Sequence, residues 1–314
     1  MHRTTLAVCV CLLSVATWAG LASAHGFAGK RFFPATLVIE DPFVADELSL
    51  PTVSHIKTPG EGDEPATKET EYEFEFSKRI TPNFGISFSE TVRRLVPKEG
   101  KPRLGFGNLE VGGKYQFFKS DRHETILSIG LDTEIGGTGR KALEADSFTT
   151  FTPSFFFGKG FGDLPDSVSF LKPLAITGAL GVALPTRSKN VTVTDDEVEI
   201  ERIPQVLQWG FAIEYSIPYL QSFVKDIGLP APFNRMIPIV ELSFETPMSA
   251  GQSGRTTGTV NPGILWAGKS FQVGVEAIIP INSRTGKNVG VIGHLHFFLD
   301  DLFPKTLGRP LFGE

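Results

Sequence analysis

Two histidines near the end of the chain are the residues best placed to bind a metal ion or to titrate near neutral pH. His294 and His296 are two residues apart, and side chains at that spacing lie on one face of a β-strand. Imidazole is a common metal ligand. Two ligands are too few to hold an ion, and no Cys, Asp or Glu follows at a spacing that completes the set. We therefore predict no metal site and interpret both histidines as polar residues of one strand face.

Charged and polar residues also recur at alternate positions along other predicted strands. With the two histidines, the residues on this face are Glu71, Glu73, Glu75, Glu110, Lys114, Asp132, Glu134, Gln208, Glu214, Glu241, Glu245 and Glu276. If the face lines a lumen, its carboxylates would favour cations. Alternatively they pair with basic residues near strand ends and fill a narrow interior. The candidate partners are Arg187, Arg202, Arg235 and Arg255. The sequence leaves both interpretations open.

The sequence offers no convincing catalytic or cofactor motif. The glycine-rich stretch 136–141 lacks the spacing of a phosphate-binding loop and the helix that should follow it. No serine, histidine and aspartate occur at a spacing that singles out a nucleophile. We predict a protein that is not an enzyme and that needs no cofactor.

The elements that must position these residues are β-strands, and residues 205–217, QVLQWGFAIEYSI, are the clearest example. Leu207, Trp209, Phe211 and Ile213 alternate with small or polar residues that include Glu214. Successive side chains of a strand point to opposite faces, so one face is large and apolar and the other is small and polar. The length suits a tilted membrane-spanning strand, which needs about 9–11 residues.

This pattern repeats in eleven segments from residue 69 onward, joined by connections that alternate between short and long. Outer-membrane barrels have short periplasmic turns, long external loops and an even number of strands. If 78–83 is a periplasmic turn, an upward strand must precede residue 69, and 31–40 is the candidate. We predict about twelve strands. In the alternative interpretation, residues 25–68 form a plug or periplasmic arm.

The chain is predicted to be exported. Residues 1–24 combine Arg3, an apolar run and a small-residue cleavage site, which is typical of a signal peptide. Cys9 and Cys11 both fall inside it, so the mature protein has no disulfide. No apolar run is long enough for a transmembrane helix. A net charge of −5 argues against nucleic-acid partners.

Two segments carry a resemblance to a known family. The hairpin YEFEFSKRITPNFGISFSE and the strand GFGNLEVGGKYQFF resemble bacterial outer-membrane barrels of the phenol-degradation (MetA-pathway) family. The resemblance spans residues 69–298 and implies an outer-membrane barrel that transports small organic solutes. It implies no particular site residues.

The sequence thus predicts an all-β protein, with one antiparallel transmembrane barrel at 69–298, an extension at 25–68 and a tail at 299–314. Its predicted partners are outer-membrane lipid and a small solute that passes through a polar, acidic lumen. Two alternatives remain: a structural or sensing barrel that its N-terminal segment plugs, and a soluble periplasmic β-sandwich that binds a ligand.

Overall fold

Twelve long strands form one antiparallel sheet that closes into a barrel. The computed structural model describes residues 26–58, 66–143, 145–193, 198–251 and 253–313, so the predicted signal peptide and His25 lie outside the described residues. The strands are β1 (Glu47–Thr58), β2 (Thr67–Thr81), β3 (Phe84–Pro97), β4 (Glu110–Ser120), β5 (Thr125–Glu134), β6 (Thr150–Gly160), β7 (Leu174–Pro185), β8 (Val206–Tyr215), β9 (Met236–Pro247), β10 (Thr257–Ala267), β11 (Phe271–Pro280) and β12 (Gly290–Phe298). Each strand pairs with the next, and β12 pairs with β1.

The alternation of the sequence fixes the two faces of this sheet. On β8, Trp209 and Ile213 are exposed on the outside, whereas Ala212 and Glu214 are buried inside. Exposed Phe88, Tyr115, Ile129, Leu180 and Val275 continue the apolar outer face on other strands. A soluble protein rarely exposes an apolar surface of this extent. The closed barrel also excludes the two-layered sandwich, which we considered as an alternative.

The first strand is not where the sequence placed it. The alternation of short and long connections correctly required an extra strand. This strand is Glu47–Thr58 rather than 31–40, and it lies within the predicted extension at 25–68. The register of β1 shifts against β2 between Ser49 and Thr52, on either side of Pro51. Such a bulge interrupts the two-residue alternation, which explains why periodicity did not reveal the strand. The barrel therefore begins at residue 47 and not at 69.

Short turns and both described chain termini lie at one end of the barrel, which we call the periplasmic end by the usual rule for such barrels. Two connections here are long. One contains the 3-10 helix Asp166–Leu171, and the other contains Ile217–Tyr219, Leu220–Val224 and Phe233–Arg235. Strands Phe27–Ala28 and Arg31–Phe32 form a small hairpin, and helix Leu299–Leu302 follows β12.

The opposite, external end carries the longer loops. They contain the 3-10 helix Lys141–Leu143, the strand Arg103–Phe106 beside β3, and a hairpin of Lys189–Val193 with Val198–Arg202. Among the described residues, no helix is both long and apolar enough to cross a membrane.

Candidate functional site

Residues 33–46, here called the plug, cross the inside of the barrel. Their polar contacts reach strands that lie far apart in the sheet. Ala35 accepts a hydrogen bond of 2.6 Å from Gln272 on β11. Asp41 accepts one of 2.6 Å through its carbonyl oxygen from Lys114 on β4, and Pro42 accepts one from Ser128 on β5. A segment that contacts opposite walls in this way occupies the lumen. This agrees with the alternative prediction that part of residues 25–68 forms a plug.

The tip of the plug is bound by one carboxylate. Glu241 on β9, which is fully buried, accepts hydrogen bonds from the backbone N–H groups of Leu37 (2.6 Å), Val38 (3.0 Å) and Ile39 (2.9 Å). Successive N–H groups that point to one centre form an anion-binding concavity. Here the protein supplies the anion from its own wall. Hydrogen bonds to an ionised group are stronger than those between neutral groups, so Glu241 acts as a latch on the plug.

Apolar contacts support the latch. Ile39 packs with buried Ala212, Ile237, Ile239 and Leu265, and Leu37 lies against the same cluster. These wall residues face inward, so the lumen is not uniformly polar. A second cluster nearer the periplasmic end joins Phe33 and Phe43 of the plug to Ala28, Ala45, Ile126 and Ala175. Both clusters remove apolar side chains from water and stabilise the inserted plug.

Arg31 anchors the N-terminal end of the plug at the periplasmic mouth. It is fully buried, and its Nε lies 3.2 Å from Oε2 of Glu124 in the turn between β4 and β5. The guanidinium also donates to the carbonyl oxygens of Lys172 and Pro173 and lies 4.0 Å from the ring centroid of Tyr219. These partners come from both long periplasmic connections. Both long connections therefore contribute to the socket that holds Arg31.

Tyr219 completes the socket by donating a hydrogen bond of 2.8 Å to Oε1 of Glu124. Burial and the hydrogen bond to Glu124 both raise the pKa of the Tyr219 phenol. The phenol thus keeps its proton and remains a donor to the carboxylate. Gly162 donates its backbone N–H to Oε2 of Glu124 (3.0 Å), so both carboxylate oxygens have partners.

Asp46 anchors the other end of the plug. It is fully buried and accepts hydrogen bonds from Nζ of Lys78 (2.6 Å) and from Nε of Arg79 (2.8 Å) at the end of β2. The same two cations donate to Arg309 and Gly308 in the C-terminal tail. The tail is thereby part of the periplasmic closure of the barrel.

Two cavities flank the plug. One of about 310 Å³ lies between the plug and the wall of β1–β5, and another of about 540 Å³ lies towards the wall of β5–β9. Val38, Ile39 and Glu40 of the plug line both cavities. These three residues of the plug therefore lie between the two cavities.

Nine of the predicted lumen residues line these cavities. They are Glu73, Glu75, Lys114 and His296 in the first, Glu134, Gln208 and Glu245 in the second, and Glu110 and Asp132 in both, with Lys114 joined to Glu40 of the plug at 2.6 Å. Glu71 faces the same interior but pairs with Arg93 at 2.8 Å. Basic residues thus neutralise part of the acidic wall. The arginine that pairs with Glu71 is Arg93, which is not one of the four arginines predicted as partners. Arg187, one of those four, donates instead to Ser147 at the external end.

The remaining predicted residues are buried under the plug rather than open to a cavity. Glu214 and Glu276 are each 2% exposed, and Glu276 lies on β11 opposite Gly263. His294 lies 2.8 Å from Nε2 of Gln272. His296 differs from these residues because it lines the first cavity, where it contacts Ser49 at 2.8 Å and Glu47 at 3.5 Å. Within the described part of the chain, no group of three or more His, Cys, Asp or Glu residues is placed to hold a metal ion.

Sequence reasoning missed the residues that hold the plug. Arg31 and Asp46 are ordinary charged residues of the extension at 25–68, and the latch uses backbone N–H groups, which every residue except proline has. One signal was present. Inward positions that should be polar in an open pore carry Ile126, Ile237, Ile239 and Leu265, which indicates that something apolar fills the interior.

Comparison with solved structures finds other bacterial outer-membrane barrels of similar fold. An outer-membrane channel from Pseudomonas putida F1 superposes with a TM-score of 0.55 and 10% identity over 85% of this chain and 99% of that chain. The KdgM porin gives a TM-score of 0.45 and 12% identity over 79% and 98%, respectively. The translocator domain of the autotransporter NalP from Neisseria meningitidis gives 0.47 and 10% over 80% and 88%.

At such low identity the likeness to the Pseudomonas channel shows the fold alone, and the other two scores are too low to support an argument. No known family and no curated protein matches the chain. The resemblance to the MetA-pathway family therefore stays a prediction. What the structure and the comparison establish together is a closed twelve-stranded antiparallel barrel, a fold similar to that of the Pseudomonas channel.

Proposed function

We propose that this protein is a passive channel of the bacterial outer membrane whose lumen is closed, in the state described here, by the plug. The apolar outer face supports a membrane location, because a barrel surface of exposed Phe, Leu, Ile and Val side chains suits lipid and not water. A cleaved signal peptide would deliver the chain there.

The observation that carries the proposal is the pair of cavities on either side of the plug. A barrel with a solid core would leave no such spaces. Here only the plug tip divides them, and its main polar attachment is to one carboxylate. Displacement of the tip would join the two cavities into a path along the polar wall.

The charges along this path favour small neutral or cationic solutes. Glu110 and Asp132 line both cavities, and Lys114 is already paired with Glu40. A wall with an excess of carboxylates attracts cations and repels anions. We infer the preference for neutral or cationic solutes from this excess of carboxylates over basic groups.

A non-conducting structural or sensing barrel is the second candidate function. It is favoured by the attachment of the plug at both ends, through Arg31 and Asp46, and by the two apolar clusters along it. A plug of this kind could remain in place permanently.

Ion selectivity in planar bilayers separates the two candidates. We expect the full chain, and more strongly a variant whose residues 34–45 are replaced by a flexible linker, to pass current with a reversal potential that favours cations. The Glu110→Gln/Asp132→Asn variant should lose most of that preference. The control Glu99→Gln/Asp226→Asn removes two exposed charges outside the lumen and should keep it. Absence of current even after plug replacement would overturn the channel and favour the structural role.

A further inference from the structure

Three basic side chains lie next to one another on the outer face of the barrel near its external end. Lys57 on β1 pairs in register with Lys68 on β2. Arg94 on β3 pairs with Thr70, two residues along β2 from Lys68. All three are exposed. We call Lys57, Lys68 and Arg94 the basic patch.

No residue that the structure describes neutralises the basic patch. Like charges directly opposite in a sheet are destabilising, yet none of the three has an ion pair with any residue that the structure describes. The carboxylates next to Lys68 and Thr70 along β2, those of Glu69 and Glu71, face the lumen, where they pair with Arg93. Glu90 shares the outer face of β3, but it lies four residues below Arg94 and forms no bond to it.

Apolar side chains lie directly beside the patch on the outer face. Leu104 is 55% exposed and pairs in register with Arg94, and Phe106 is 58% exposed and pairs with Val92. Tyr72, two residues beyond Thr70 on β2, is also exposed. The surface is therefore cationic near the rim and apolar below it.

We propose that the basic patch binds the phosphate headgroup of an anionic lipid in the external leaflet, with the acyl chains against Leu104, Phe106 and Tyr72. Arginine and lysine are the side chains that recognise phosphate oxygens. Basic residues beside a membrane attract anionic lipids. The inference rests on the proposed membrane location but concerns lipid and not solute, so conductance and lipid binding test different claims.

Native mass spectrometry of the detergent-solubilised full chain tests the proposal with phosphatidic acid and with diacylglycerol of the same acyl chains. Wild type should retain phosphatidic acid and not diacylglycerol. Lys57→Gln/Lys68→Gln/Arg94→Gln should weaken phosphatidic acid binding on the order of 100-fold, because each basic residue near the headgroup is worth about a fivefold factor. The control Lys101→Gln/Lys141→Gln/Arg255→Gln removes three exposed charges from the external loops and should bind as wild type does.

Three results would overturn the proposal. The patch variant could bind phosphatidic acid as tightly as wild type, the loop control could lose binding equally, or inorganic phosphate could displace the lipid and so reveal an ion site. Heat-modified migration in gels checks that each variant is folded. Should the triple variant fail to fold, Lys68→Gln alone should weaken binding about fivefold, and no change in that variant would also contradict the proposal.

Discussion

Glu241→Ala should raise the current through the barrel in planar bilayers by releasing the tip of the plug. The substitution removes the acceptor of three backbone hydrogen bonds, from Leu37, Val38 and Ile39. Each hydrogen bond to a charged acceptor contributes about 1.5–3 kcal/mol to the docked state. Part of this free energy is recovered when the tip moves, because the released N–H groups bond to water. A net loss of about 3 kcal/mol shifts the ratio of docked to released plug on the order of 100-fold.

Glu245→Gln is the matched control for this change. Glu245 lies on the same strand and the same face, lines the cavity of about 540 Å³, and has no bond to the plug. Its removal should leave the closed state intact. If Glu241→Ala and Glu245→Gln behaved alike, the latch would not be what keeps the lumen closed.

Asp46→Ala should strongly destabilise the barrel. The carboxylate is fully buried between Lys78 and Arg79, at 2.6 and 2.8 Å. Removing one partner of a buried ion pair leaves an uncompensated charge, which typically costs about 3–5 kcal/mol. We expect a marked fall in the temperature at which the folded form is lost, measured by heat-modified migration in gels.

Asp166→Ala provides the comparison for Asp46. Asp166 also binds a lysine, Lys172 at 2.5 Å, but it is almost fully exposed at 96%. An exposed ion pair contributes little to stability, so this variant should unfold as wild type does. Equal loss in both variants would contradict the role of Asp46 as an anchor and would indicate a general effect of charge removal.

Much of the wall could be predicted from sequence because lipid imposes a simple rule on it. Each strand must be apolar outside, and the period of two reveals this directly, as in β8 with Trp209 and Ile213 outward and Glu214 inward. The alternation of short and long connections, together with an even strand number, also required one strand that the hydrophobic pattern had not revealed. Its location was wrong because Pro51 interrupts the alternation of β1.

The plug could be predicted only as an alternative, because the barrel wall binds its tip through backbone N–H groups and not through distinctive side chains. Almost any three successive residues have the backbone N–H groups that bind Glu241. The side chains of residues 37–39 therefore give no sign of this interaction. Its two anchors join residues far apart in the chain, such as Arg31 with Glu124. Residues 31–40 alternate as a strand does. Only Arg31–Phe32 form a strand, in the small hairpin with Phe27–Ala28, and 33–40 lie inside the barrel and not in its sheet.

A reversible lock on the plug tests most directly whether it closes a conducting lumen. A Cβ built on Gly274 of β11 lies 2.9 Å from Cδ1 of Leu37, and its other close neighbours are the ends of flexible side chains. Positions 37 and 274 are therefore in contact, and we choose Leu37→Cys with Gly274→Cys as the pair for a disulfide. Cys9 and Cys11 lie in the predicted signal peptide.

In a Glu241→Ala background, the oxidised double-cysteine protein should be silent in a planar bilayer and should conduct after reduction. Leu37→Cys alone in that background should conduct under both conditions. Equal current from the oxidised and reduced double-cysteine protein, or no current from either, would contradict a channel that the plug closes.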